Sequence, residues 1–139
     1  MVLFLASILA DFFVNRELSD YFIGAAVIPV PMRRKKLRTR GFNQAELIAQ
    51  SFARACDANI ETSALRRIRH SRPQSMIADK KERERNVAGC FAADEESVAG
   101  RDILLIDDVS TSGSTFREAA LALKRAGSGR IIALAAALA

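Results

Sequence analysis

Two adjacent carboxylates, Asp107 and Asp108, end a run of four apolar residues and open a run of small polar ones: Ile103-Leu-Leu-Ile-Asp-Asp-Val-Ser-Thr-Ser-Gly-Ser-Thr115. Carboxylates held side by side can accept hydrogen bonds from both hydroxyls of a sugar diol. Ser110 to Ser114 supplies hydroxyls and backbone N–H groups in a turn, and Gly113 lets that backbone approach a ligand closely. Such a loop ahead of a helix makes a natural phosphate site, because the first N–H groups of a helix are unpaired and its dipole favours an anion. The pattern suits a ligand that carries both a phosphate and a sugar diol.

The elements that must hold these groups can be read from the apolar pattern. Ile103 to Ile106 has no polar alternation, which predicts a strand buried on both faces in a parallel sheet covered by helices. The acids would stand at its carboxyl end, where open α/β sheets place their ligands. Thr115 and Glu118 have the spacing of a capping box. Phe116, Ala119, Ala120 and Leu123 follow at helical spacing, with a stop at Gly127. A second buried strand is predicted over residues 25–30, ending around Pro29 and Pro31 because proline donates no ladder hydrogen bond. Its end should lie beside the end of the strand at 103–106. Met32 to Arg40 follows directly as a basic loop, placed to meet an anion. Asn43 and Glu46 repeat the capping pattern ahead of a helix whose buried side is Leu47, Ile48, Phe52 and Ala55.

The remaining segments are shorter or more polar. Short strands are expected within 59–64 and over 89–93, an acidic turn over 94–101, and a last apolar strand over 130–138. Residues 65–88 form a long basic segment, expected to act as a mobile lid with a short helix over 78–85. His70 sits there among arginines and reads as a surface residue. Residues 2–18 read as a core helix with Leu5, Ile8, Leu9, Phe12 and Phe13 on one face. The first 14 residues are apolar like a secretory leader, but they lack a positive start and Asp11 interrupts them; they are also too short to span a membrane. The abrupt apolar start suggests a segment upstream. Strands separated by helices predict an α/β fold with a parallel sheet, in one domain over 1–139.

Composition narrows the function classes. Half of the 139 residues are hydrophobic and 27% are charged, as in a globular protein rather than a disordered one. The net charge of +5 is unevenly spread: residues 33–72 hold eleven Arg and Lys against Glu46, Asp57 and Glu61. A basic concentration of that kind faces an anion, either a polyphosphate substrate or a nucleic acid. With no Trp, an aromatic platform for stacking bases is not evident. Cys56 and Cys90 lack metal-binding spacing, and with one His they make no ligand set. Buried free thiols in a reducing, cytoplasmic setting are expected.

The central stretch resembles the phosphoribosyl-pyrophosphate (PRPP) motif of type I phosphoribosyltransferases, in which two acids and a T-x-G-x-T-like loop follow a hydrophobic strand. Ser110 stands where an apolar residue is commoner, and Ser112 replaces a frequent Thr while keeping its hydroxyl. Three segments extend the likeness over nearly the whole chain from residue 27: VIPVPMRRKKLRTRGFNQAELIAQ at 27–50, LRRIRHSRPQSMIADKKERERNVAGCF at 65–91 and ILLIDDVSTSGST at 103–115. Together they resemble the ComF family of phosphoribosyltransferase-like proteins. Members usually begin with a four-cysteine zinc module, which this sequence does not contain, so roles of that module are not carried over.

The resemblance implies a type I phosphoribosyltransferase fold, with flanking helices and a flexible hood loop. It implies that Asp107 and Asp108 hold the ribose hydroxyls of PRPP. Val109, Ser110, Thr111, Ser112, Gly113, Ser114 and Thr115 would form the PRPP loop, those from Ser110 on wrapping the 5-phosphate. Pro31, Met32, Arg33 and Arg34 would face the pyrophosphate, with Mg²⁺ bridging pyrophosphate and ribose and no direct protein ligand to the metal. Arg72, Gln74, Arg85 and Asn86 are the recognisable hood positions. The implied function is a phosphoribosyltransferase linked to DNA uptake in competent bacteria, some members being assigned as amidophosphoribosyltransferases without an established acceptor. The alternative is a non-catalytic PRPP sensor, or a protein that holds single-stranded DNA beside other competence proteins. The exposed sheet edge and the N-terminal helix are candidate contacts for a homodimer, and no membrane insertion is expected.

Overall fold

The computed structural model describes residues 2–15, 18–68, 79, 81 and 88–139. Its centre is a four-stranded parallel sheet. Strand β1 (Ala26–Pro29) pairs with β5 (Ile103–Ser110) in the register Ala26 to Ile103 through Pro29 to Ile106. The short β2 (Asn59–Ile60) lies outside β1, and β6 (Ile131–Leu138) lies outside β5, giving the order β2-β1-β5-β6. A separate antiparallel hairpin joins β3 (Leu65–Arg67) to β4 (Phe91–Ala93).

Burial explains why the two central strands are apolar without alternation. Successive side chains point to opposite faces of a sheet, and both faces are covered. Val27, Leu104 and Ile106 pack with Phe13 of helix α1 (Val2–Asn15) and with Ile48 and Phe52 of helix α4 (Gln44–Ala55). Ala26, Ile28, Ile103 and Leu105 pack on the other face. Their partners are Leu65 and Phe91 of the hairpin, Val98 of the short helix α5 (Glu95–Val98), and Leu123 of helix α6 (Ser114–Arg125). Phe52 is fully buried, and Phe13 meets it edge-on at 5.6 Å between ring centroids. Burying each such side chain contributes about 1.5–3 kcal/mol.

Several expectations are corrected. The N-terminal helix stops at Asn15 and a separate turn of helix, α2 (Leu18–Tyr21), follows. Ile8 is half-exposed, and among the described side chains of α1 Leu9, Ala10 and Phe13 are buried; the side chains of Leu5 and Phe12 lie outside those described. In α4, Leu47 and Ala55 face solvent while Ala45, Ile48, Ala49, Phe52 and Ala53 are buried. The small alanines let α4 lie close to the sheet, which rotates the buried stripe away from Leu47. The basic segment after β1 is a helix, α3 (Arg34–Arg40), rather than a loop. The acidic turn at 94–101 contains α5, capped by the Asp94 carboxylate accepting from the Ser97 N–H at 3.2 Å. Cys90 is buried, but Cys56 is only half-buried. Most of the expected lid, with its short helix, His70 and the hood positions Arg72, Gln74, Arg85 and Asn86, lies outside the described residues. Among the described residues no helix is long and apolar enough to cross a membrane.

Candidate functional site

The chain leaves β1 towards one edge of the sheet, through α4 to β2, and leaves β5 towards the other, through α6 to β6. The carboxyl ends of β1 and β5 therefore flank the point where the winding reverses. Open α/β sheets bind ligands in that crevice. The loop carrying Pro31, Met32 and Arg33 and the segment Asp107 to Thr115 both emerge there.

Strand β5 runs four residues further than its apolar core predicts. The ladder with β6 continues through Asp107 opposite Ala135, Val109 opposite Ala137 and Ser110 opposite Leu138. The two acids thus stand inside a paired strand, not beyond its end. The long apolar β6 supplies the partner that keeps polar residues in the ladder. Asp107 and Asp108 are both half-buried. Each carboxylate accepts the next residue's backbone N–H at 2.9 Å, from Asp108 to Asp107 and from Val109 to Asp108.

Burial pushes the Asp107 carboxyl up to about 8, and the hydrogen bond and charge of Asp108 push the same way. The Asp108 backbone N–H and the positive charge of Lys36 offset part of this. Lys36 lies on α3, so the basic helix reaches Asp107 electrostatically. Neither Lys36 nor Arg67 was singled out from the sequence as a site residue, because each belongs to a run of like charges with no local mark. Burial lowers the Arg67 pKa, while Cys90 and, less strongly, Asp107 act to raise it.

The loop after β5 is held by its own small side chains. Ser112 Oγ and Ser114 Oγ share a hydrogen bond of 2.8 Å, and Ser114 is almost fully buried. Gly113 caps α6 at φ 74°, and the first helical bond runs from the Arg117 N–H to the Gly113 carbonyl at 2.9 Å. A Cβ at Gly113 would meet nothing within 4 Å. The glycine is needed there for its left-handed backbone and not for space. The capping box expected of Thr115 and Glu118 does not form, because the helix starts at Ser114. The Glu118 carboxylate accepts instead from the Gly89 N–H at 3.0 Å, tying the end of the hairpin segment to α6.

On the β1 side, the Val30 N–H donates to the Ile106 carbonyl at 2.8 Å, carrying the β1–β5 pairing to the crevice. Asn43 then does two jobs. Its Oδ1 accepts from the Ala45 N–H at 3.2 Å as the cap of α4, as expected, and its Nδ2 donates to the Val30 carbonyl at 3.1 Å. Arg33 is half-buried where α3 begins, and Arg34 is exposed. Burial lowers the Arg33 pKa, and the charge of Arg67 lowers it further. Among the described residues no three His, Cys, Asp or Glu side chains gather as metal ligands.

This arrangement has a counterpart among known proteins. Residues 37–138 match the phosphoribosyl transferase domain family. The chain belongs to that family. Within it, the likeness is to ComF-type proteins, as the three sequence segments implied. It is 33% identical to Competence protein F of Haemophilus influenzae over 104 residues, covering 73% of this chain and 45% of the relative. It is 32% identical to Competence protein ComFC of Bacillus subtilis over 102 residues, covering 73% and 39%. It is also 32% identical to the DNA utilization protein YhgH of Escherichia coli K12 over 105 residues, covering 76% and 45%. The chain thus spans less than half the length of these relatives. The fold is that of type I phosphoribosyltransferases. Glutamine PRPP amidotransferase from B. subtilis superposes with a TM-score of 0.57 at 19% identity, over 92% of this chain and 26% of that one. TT1426 from Thermus thermophilus gives 0.58 at 14% identity, over 96% and 72%.

Proposed function

We propose that this phosphoribosyltransferase domain binds PRPP in the β1–β5 crevice and acts on its phosphoribosyl group. The observation that carries the reading is the convergence of a carboxylate pair, a glycine-capped hydroxyl loop and an arginine-bearing loop at one reversal of the sheet. Asp107 and Asp108 would receive the ribose hydroxyls. Ser110 to Thr115, with the first N–H groups of α6, would take the 5-phosphate. Pro31 to Arg34 would line the pyrophosphate.

Transfer of the group would break the bond from the anomeric carbon to pyrophosphate while an acceptor nucleophile adds to that carbon. Positive charge grows on the ring and negative charge on the leaving group. Catalysis is then mostly positioning and electrostatics. The carboxyl pair fixes the ribose, the charge the pair carries opposes that on the ring, and Arg33 faces the departing anion. A pair of carboxylates beside a pyrophosphate site fits Mg²⁺, which binds through one or two carboxylates and substrate phosphates. Here Asp107 and Asp108 would be the residues that hold it, by way of the ribose hydroxyls they orient. When bound, Mg²⁺ would neutralise charge on the leaving group. An amide-nitrogen acceptor remains part of the proposal through the family likeness alone.

Calorimetric titration with PRPP and Mg²⁺ tests the reading. The wild type is expected to bind, and an Asp107→Ala/Asp108→Ala double variant to lose binding. Asp108→Asn alone should weaken PRPP affinity and lower turnover. Unchanged PRPP binding by these variants would sink the assignment.

A second reading is favoured by α3. The helix Arg34–Arg40 buries no residue, and Leu37 and Phe42 are exposed beside its five basic side chains. A helix presented to solvent in this way suits a polyanion, and the relatives named for competence and DNA utilization make single-stranded DNA the candidate. Binding should fall steeply with salt as phosphate contacts release counterions. Affinity that does not change between low and moderate salt would count against it. The two readings can hold together, with PRPP as ligand and DNA as partner.

A further inference from the structure

The hairpin carries a charged side chain that the loop motifs do not account for. Arg67 ends β3 opposite Phe91, and its guanidinium lies 5.0 Å from the centroid of that ring. Phe91 and Cys90 are buried in the core beneath α6, together with Val30, Ile103 and Leu105. Side chains alternate along a strand, so Asp107 continues the face of Ile103 and Leu105, which is the face the hairpin covers. Val30 lies on the same face and leads into the Arg33 loop. The bond from the Ile68 N–H to the Cys90 carbonyl at 2.8 Å extends the hairpin's own pairing, and that from the Gly89 N–H to Glu118 at 3.0 Å ties the hairpin to α6. Arg67, Arg33 and Asp107 therefore share one corner of the crevice, where each arginine is half-buried. The charge of Arg67 acts unfavourably on Arg33 there. A multiply charged anion would relieve that repulsion and take charge-assisted hydrogen bonds from both guanidiniums.

We propose that Arg67 is a second anion ligand of the site and grips the pyrophosphate end of the substrate together with Arg33. The inference rests on the PRPP reading and adds to it a residue from outside both loops. In this role Arg67 favours substrates that carry a pyrophosphate over sugars that carry only the 5-phosphate.

The test is calorimetry with Mg²⁺ and three probes: PRPP, inorganic pyrophosphate and ribose 5-phosphate. The proteins are the wild type, Arg67→Met, Arg67→Lys and the Asp107→Ala/Asp108→Ala variant. Methionine keeps an apolar stem over Phe91, and circular dichroism checks that each variant is folded. Arg67→Met should weaken PRPP and pyrophosphate by about 10- to 100-fold, the loss of one charged hydrogen-bonding partner. Ribose 5-phosphate should change by less than about twofold, and Arg67→Lys should fall between. Unchanged PRPP binding in Arg67→Met, with binding lost in the aspartate variant, would overturn the role of Arg67 and leave the PRPP reading standing. Equal weakening of all three probes would also overturn it, because a structural residue would act that way. A wild type that binds none of the probes would remove both.

Discussion

Helices α3 and α6 both begin at the same crevice, yet they are held in opposite ways. α6 buries Ser114, Ala119, Ala122 and Leu123, and its glycine-capped start is continuous with β5. α3 buries nothing, and its stability comes from its own backbone bonds and from Gly41, which closes it at φ 79°. Short helices without a packed face are marginal in water. The hydroxyl-loop side of the crevice is therefore built into the core, whereas the basic side rests on it. A site made this way presents a fixed cradle for one end of a ligand and an adaptable cluster of charge for the other.

The largest break in the comparison should come from Leu123→Ala, beneath the cradle. It is expected to cost about 2–5 kcal/mol in chemical denaturation. Leu37→Ala, in the exposed helix, should change stability by less than about 0.5 kcal/mol. Similar losses for the two would mean that α3 has a packed face after all.

The next effect is one of pH. An unfolded Asp ionises near pH 3.9, while folded Asp107 keeps its proton up to about 8. As pH rises between these values the unfolded state loses its proton first, so the stability of the ligand-free protein should fall across that window and level off above it. Melting temperatures at pH 5 and pH 8 measure this, and Asp107→Asn should flatten the difference. A wild type whose melting point is unchanged between these pH values would show that Asp107 ionises normally.

A smaller effect is expected at Gly113. Forcing a Cβ into its left-handed backbone should cost about 1–2 kcal/mol, and the loop should bind phosphate more weakly. Retained phosphate affinity in Gly113→Ala would mean that the loop adapts more freely than its hydroxyl bonds imply.

Much of this was legible in the sequence, for local reasons. Ile103 to Ile106 announced a strand buried on both faces, and Pro29 and Pro31 marked the end of its neighbour. Asn43 read correctly as a cap because a cap is a short-range device. What was missed depends on partners distant in the chain. Asp107 to Ser110 stay in the ladder because β6 lies alongside, which their own polarity does not reveal. Arg67 joins the crevice because Phe91, 24 residues away, turns the hairpin back over β5. The basic run after β1 looked like a loop because no apolar stripe marks a helix that buries nothing. Leu47 was placed inward because its hydrophobicity counted for more than the close approach that alanine allows.

Strand β5 joins core and site without a joint. Ile103 to Ile106 are packed from both sides, and Asp107 follows in the same unbroken ladder. The buried residues therefore act as a reading frame for the chemistry beyond them. Loss or gain of a single residue within 103–106 would keep the composition almost unchanged and still turn every later side chain to the opposite face. Asp107 would then look towards α1 and α4, away from Arg67. In this fold the parity of a hydrophobic run decides which way a carboxylate points.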